Sequence, residues 1–179
     1  QATYLLNCQL KANGKLLVEG RKGVIIGGKT CAKLGVSCNG IGNIAEIATV
    51  VSVGIDKEDM TAYQELQKKI EQTQAELQTC ENGLNKLMAN SVHDEKVSMM
   101  IQRLTRAVYT LKSSRKELFS ERDDQMEQMT KQKEARIQVS GRAYPGTLLF
   151  LNEDPFAIKE IYNNVEFVKH DNHIDTLAH

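Results

Sequence analysis

Two stretches decide the reading of this chain: YQELQKKIEQTQAELQTCENGLNKL, residues 63–87, and VSMMIQRLTRAVYTLKSSRKELFSER, residues 97–122. In the first, Tyr63, Leu66, Ile70, Thr73, Leu77, Cys80, Leu84 and Leu87 recur at alternating three- and four-residue steps. In the second the same rhythm runs through Val97, Ile101, Leu104, Val108, Leu111, Arg115, Leu118 and Arg122. That spacing is the seam of a coiled coil. Only residues 89–94 separate the two helices, so they are expected to fold back as an antiparallel hairpin. At 1.5 Å per residue the hairpin is roughly 45–60 Å long. Pairing about the turn sets Leu87 against Val97, Leu84 against Ile101, and Tyr63 against Arg122, where a cation–π stack is expected.

The helix ends carry their own signals. Asp56 is placed to cap the first helix, and Glu58 and Asp59 suit the positive end of its dipole. Asn90 is a C-terminal stop, and Ser91 with Asp94 has the spacing of a capping box for the second helix. Outside the rod the pattern changes to short strands punctuated by glycine: Leu16–Val18, Val24–Ile26, Thr30–Ala32, Val36–Cys38 and Thr49–Val53 before it, then Ile137–Val139, Thr147–Leu151 and Val165–Val168 after it. Strands this short, one or two turn residues apart, suit the stacked rungs of a β-helix better than a sandwich. The polar tail from His170 reads as frayed. The expected architecture is α+β: a β-solenoid over 1–56 and 136–179 with a long antiparallel coiled-coil hairpin over 57–135 spliced between its two parts.

Charge is balanced, with 23 basic and 23 acidic residues. Lys57 to Glu134 holds 13 basic and 14 acidic residues, so the rod reads as no basic arm. Phosphate-backbone binding needs an excess of cations on one face, and no nucleic-acid partner is expected. Cys8, Cys31, Cys38 and Cys80 lack metal-type spacing and read as buried reduced thiols, which favours a cytoplasmic setting. No apolar run approaches the ~20 residues of a membrane span. No signal peptide is visible. The chain begins at Gln1 in strand-like sequence and is expected to be part of a longer protein.

Gly23-Val24-Ile25-Ile26-Gly27-Gly28-Lys29-Thr30 satisfies the phosphate-loop pattern letter by letter. The chemistry needs a helix N-terminus directly after the loop. Residues 31–42 have three glycines and no helical period, so a glycine-turned rung is the preferred reading and nucleotide binding through Lys29 and Thr30 the alternative. Gly40 to Ala45 mimics a dinucleotide fingerprint without the βαβ unit that gives it meaning. A carbohydrate-active β-helix enzyme is a further alternative, but the acidic residues of the β segments are scattered and form no paired-carboxylate site. His170 and His173 offer only a weak metal possibility. No catalytic residue, cofactor or metal site is assigned. The strongest signal is the rod. Met88, Met99 and Met100, off its seam and near its turn, are the candidate contacts for a protein partner or a second copy.

The order of the glycine motifs carries a resemblance. Glu19 to Ala32, then Ile41-Gly42-Asn43, then Thr49 to Asp56, then Ile137-Gln138-Val139 and Tyr144-Pro145-Gly146 resemble the flagellar assembly protein A family across nearly the whole chain. The resemblance implies a right-handed β-solenoid, an intracellular location, and a non-enzymatic role as scaffold or adaptor for flagellar or cell-surface machinery. It also implies that members extend further at the N-terminus. It brings no catalytic residues.

Overall fold

The computed structural model describes residues 2–20, 22–89, 94–171 and 173–178. Its strands form two parallel columns. In the first, β1 (Leu5–Ala12), β3 (Val24–Ala32), β5 (Thr49–Val53) and β7 (Thr147–Leu151) stack side by side. In the second, β2 (Leu16–Val18), β4 (Val36–Ile41) and β6 (Ile137–Ala143) do the same. Leu5 pairs with Ile25 and Leu16 with Val36, so one turn of the coil takes twenty residues. Val24 and Ile25 also pair with Gly40 and Ile41, joining the columns into one ten-stranded sheet.

Stacking places like on like. Leu16, Val36, Ile137 and Phe167 lie in one ladder, and Ala32, Val53 and Leu151 in another, all buried. Alternate residues point inward along each strand, so the glycine-broken hydrophobic runs become the inner lining of a coil. Gly27 and Gly28 turn a corner within β3 with φ of 69° and 76°. A Cβ on Gly28 would lie 2.1 Å from the Cys8 carbonyl oxygen of the rung beside it, so only glycine fits. The two short strands expected at Val24–Ile26 and Thr30–Ala32 are therefore one bent strand.

Three further strands escape the sequence reading. β1 is one, and β8 (Asp154–Ala157) and β10 (His173–Ala178) are the others. The tail from His170 is not frayed: β10 pairs antiparallel with β9 (Tyr162–His170) from His173 to Ala178. Strands β8 and β9 in turn lie antiparallel on β7 and β6, closing that end of both columns. Pro155 in β8 sits where an edge strand tolerates a missing donor. Phe156, Tyr162 and Phe167 cluster beneath this cap with ring centroids 5.5–6.4 Å apart.

Corners explain where the helices enter. Three residues join β1 to β2, Asn13-Gly14-Lys15, and three join β3 to β4, Lys33-Leu34-Gly35. At the same corner of the next turn, β5 and β6 are joined by everything from Gly54 to Arg136, including α1 (Lys57–Ala89) and α2 (Glu95–Lys133). The chain divides into two compact units, one of residues 1–59 with 127–179, the other Met60–Met126. The first turn of α1 and the end of α2 thus belong with the coil.

Candidate functional site

The base of the insertion is built on Asn152, in the turn between β7 and β8. Its Oδ1 accepts a hydrogen bond from the Ile55 N–H at 2.9 Å, and its Nδ2 donates to the Lys133 carbonyl at 3.1 Å. One side chain therefore holds the entry and the exit of the insertion. Its own backbone N–H donates to the Val53 carbonyl at 2.9 Å. Asn152 adopts a φ of 50°, a conformation that asparagine accepts more readily than most residues. Gly54 makes room for it: a Cβ there would lie 2.0 Å from Asn152 Oδ1.

The first turn of α1 is held by charge. The Asp59 N–H donates to Asp56 Oδ1 at 3.0 Å and the Asp56 N–H to Asp59 Oδ2 at 3.3 Å, a reciprocal cap. Lys11, from the first turn of the coil, pairs with Asp56 at 3.3 Å and Glu58 at 2.5 Å. Lys33, from the second, pairs with Asp59, and both partners are largely shielded from solvent. Burial pushes the Asp56 carboxyl up, but the Asp59 N–H and the ammonium groups of Lys11 and Lys33 outweigh it and hold the carboxyl below its usual range. Hydrogen bonds to Glu58 and Asp56 raise the Lys11 ammonium in the same way. Beside this turn lies a groove of about 760 Å³, lined by Lys29, Cys31, Phe150 and Glu153 among others.

The phosphate-loop pattern has no such chemistry. Gly23 to Thr30 runs into β3, and β4 and β5 follow before any helix. Lys29 points outward, whereas the Thr30 side chain is wholly buried in the ladder between Leu10 and Val51. A hydroxyl facing the core cannot reach a phosphate-bound metal. Among the described residues no group of three or more His, Cys, Asp or Glu is arranged to hold a metal ion. His170 Nδ1 and His173 Nε2 both approach the Asp175 carboxylate, at 2.9 and 3.3 Å. Cys38 is buried, and burial pushes its thiol up to about 12.

In the unit Met60–Met126 every expected seam position is buried or half-buried, from Tyr63 to Leu87 on α1 and from Val97 to Arg122 on α2. Leu66, Ile70 and Leu77 are the most enclosed. Contacts cross between the helices. Lys112 pairs with Glu81 at 2.8 Å, and a Cβ on Gly83 would lie 3.6 Å from Leu104 Cδ1. Arg122 stacks on the Phe119 ring at 4.7 Å and binds Asp123, not on Tyr63 as the pairing suggested. Asp94 caps α2, accepting from the Lys96 N–H at 2.7 Å. The expected roles of Asn90 and Ser91 lie outside the described residues. Met88, Met99 and Met100 are exposed by 62%, 52% and 55%.

Two stacked columns of parallel strands, with two helices inserted in sequence between β5 and β6, define a β-coil protein. The sequence matches the flagellar assembly protein A beta solenoid domain over residues 1–174, and the chain belongs to that family. No curated protein and no solved structure matches it.

Proposed function

We propose that this chain is a non-enzymatic scaffold or adaptor in the assembly or positioning of flagellar or cell-surface machinery, and that it acts in the cytoplasm. In this reading α1 and α2 form an antiparallel coiled-coil hairpin on a right-handed β-solenoid, and the hairpin holds a protein partner at its tip. One observation carries it. The hydrophobic core of the coil takes no residue between Val53 and Ala135 among the described residues, so α1 and α2 supply no side chain to that core. An element of that size, not needed for its neighbour's core, is explained by its surface. Near the turn that surface exposes Met88, Met99 and Met100, whose flexible thioethers suit adaptable contacts. No described helix is long and apolar enough to cross a membrane.

Cross-linking in cells that carry the parent or a Met88→Ser, Met99→Ser, Met100→Ser variant tests the tip. A partner band present with the parent and lost with the variant supports the proposal. A partner retained at full strength by the variant overturns the assignment to the tip.

A further inference from the structure

The charges of α2 are sorted along its length. Lys96 to Lys116 contains six basic residues and no acidic one, whereas Glu117 to Glu127 contains five acidic residues and only Arg122 as a cation. On the side of α2 away from its buried seam, a second stripe keeps three- and four-residue steps: Met99, Arg103, Arg106, Thr110, Ser113, Glu117, then Ser120 or Glu121, then Asp124. Every one of these residues is exposed. Along the stripe the order is cation, cation, two small hydroxyl residues, anion, anion.

Like charges sit within one turn of each other here, Arg103 by Arg106 and Glu117 by Glu121, which disfavours an isolated helix. None of these four makes an ion pair with another described residue. Their order is complementary to itself when reversed. Laid antiparallel on a second copy about a two-fold axis between Leu111 and Lys112, Arg106 meets Glu117, Thr110 meets Ser113, and Arg103 meets Ser120 with Glu121 beside it. Small residues at the crossing allow the helices to approach closely. We infer that the outer side of α2 is a self-association surface, taking a second copy of this chain in an antiparallel, two-fold arrangement. The contact is electrostatic and exposed, so it is weak at high salt.

Sedimentation velocity of the full chain tests this over a concentration series at about 50 mM and 500 mM salt. The expected result is a monomer–dimer equilibrium that shifts towards monomer at the higher salt. Arg103→Glu with Arg106→Glu turns attraction into repulsion and raises the dissociation constant by at least ~10-fold. Glu117→Arg with Glu121→Arg does the same. The two variants mixed form a heterodimer, and all four changes in one chain restore the homodimer. Circular dichroism confirms that each variant keeps its helices. A parent that stays monomeric at both salts overturns the inference, as does a dimer that ignores both reversals or is not restored by the fourfold variant. Met88→Ser with Met100→Ser leaves this dimer intact, so failure of the tip proposal and failure of this one read out separately.

Discussion

Thr30 puts a hydroxyl where the coil needs a methyl. It is wholly buried, and its Oγ1 has no hydrogen-bond partner among the described residues. Its neighbour along the ladder, Val51, has the same shape without the oxygen. Thr30→Val is therefore expected to stabilise the coil by about 1 kcal/mol, since an unpaired buried hydroxyl costs roughly that or more. Urea unfolding followed by β-sheet ellipticity checks the sign, and a loss of stability would mean that the hydroxyl has a partner after all. Asn152 is the opposite case, a polar group whose oxygen and nitrogen both find partners. Asn152→Ala removes both side-chain bonds and leaves the Ile55 N–H and the Lys133 carbonyl without them. About 1–3 kcal/mol of local stability should be lost, visible as faster amide exchange at residues 54–59 and 132–136. Asp56 gives a pH dependence. Its folded carboxyl titrates below the usual range, so its contribution is complete above the ordinary carboxylate value near ~3.9 and is lost as pH falls below that towards the folded value. Amide protection of the first turn of α1 should drop in that acid window. Asp56→Asn, which keeps a cap but no charge, should flatten the drop.

At the scale of elements, the packed interior of the helical unit can be tested at Leu77, one of its most enclosed side chains. Leu77→Ala should lower the stability of the helices by about 2–5 kcal/mol, read as an earlier helical melt. An unchanged melt would mean that α1 and α2 do not share a packed seam. The two helices were legible in the sequence because a three- and four-residue period runs through Leu66, Ile70 and Leu77 and again through Leu104 and Leu111. The rungs were legible as short strands, but their number was not. In β1, Leu5-Leu6-Asn7-Cys8-Gln9-Leu10 shows little alternation, so its pattern gives no clear inward face. In β10, His173 and Asp175 read as a solvated tail because their polarity hides a strand, although it pairs with its sequence neighbour β9 in a hairpin that sets His173 against His170. The Asn152 clamp has no local signal at all: its three partners, Val53, Ile55 and Lys133, are far away in sequence. The self-complementary stripe on α2 was hidden for a different reason. Counting charge over the whole rod averages a basic half against an acidic half.

For the whole molecule, the corner that receives the helices makes the sharpest prediction about independence. Two of the three corners at this place close in three residues, and the third returns to its start because Asn152 ties Ile55 to Lys133. Removing Met60–Met126 and joining the stubs with a short Gly/Ser linker keeps the clamp, the reciprocal cap of Asp56 and Asp59, and the lysine pairs. The coil should then fold with its β-sheet ellipticity intact. Its melting temperature should stay within a few degrees of the parent's β transition, since loop closure costs only about 0.6 kcal/mol for each doubling of length. Excising Lys57–Glu134 instead removes Glu58 and Asp59 with their lysine pairs, and Lys133 with its clamp bond, and should cost more. The comparison of the two deletions is the test. If the shorter deletion unfolds the coil, the helices contribute to its stability and the separation of body from arm is wrong. If both deletions melt alike, the contacts at the base contribute little. If the shorter one folds and the longer one is weaker, the coil is an independent body whose third corner is built to carry an arm.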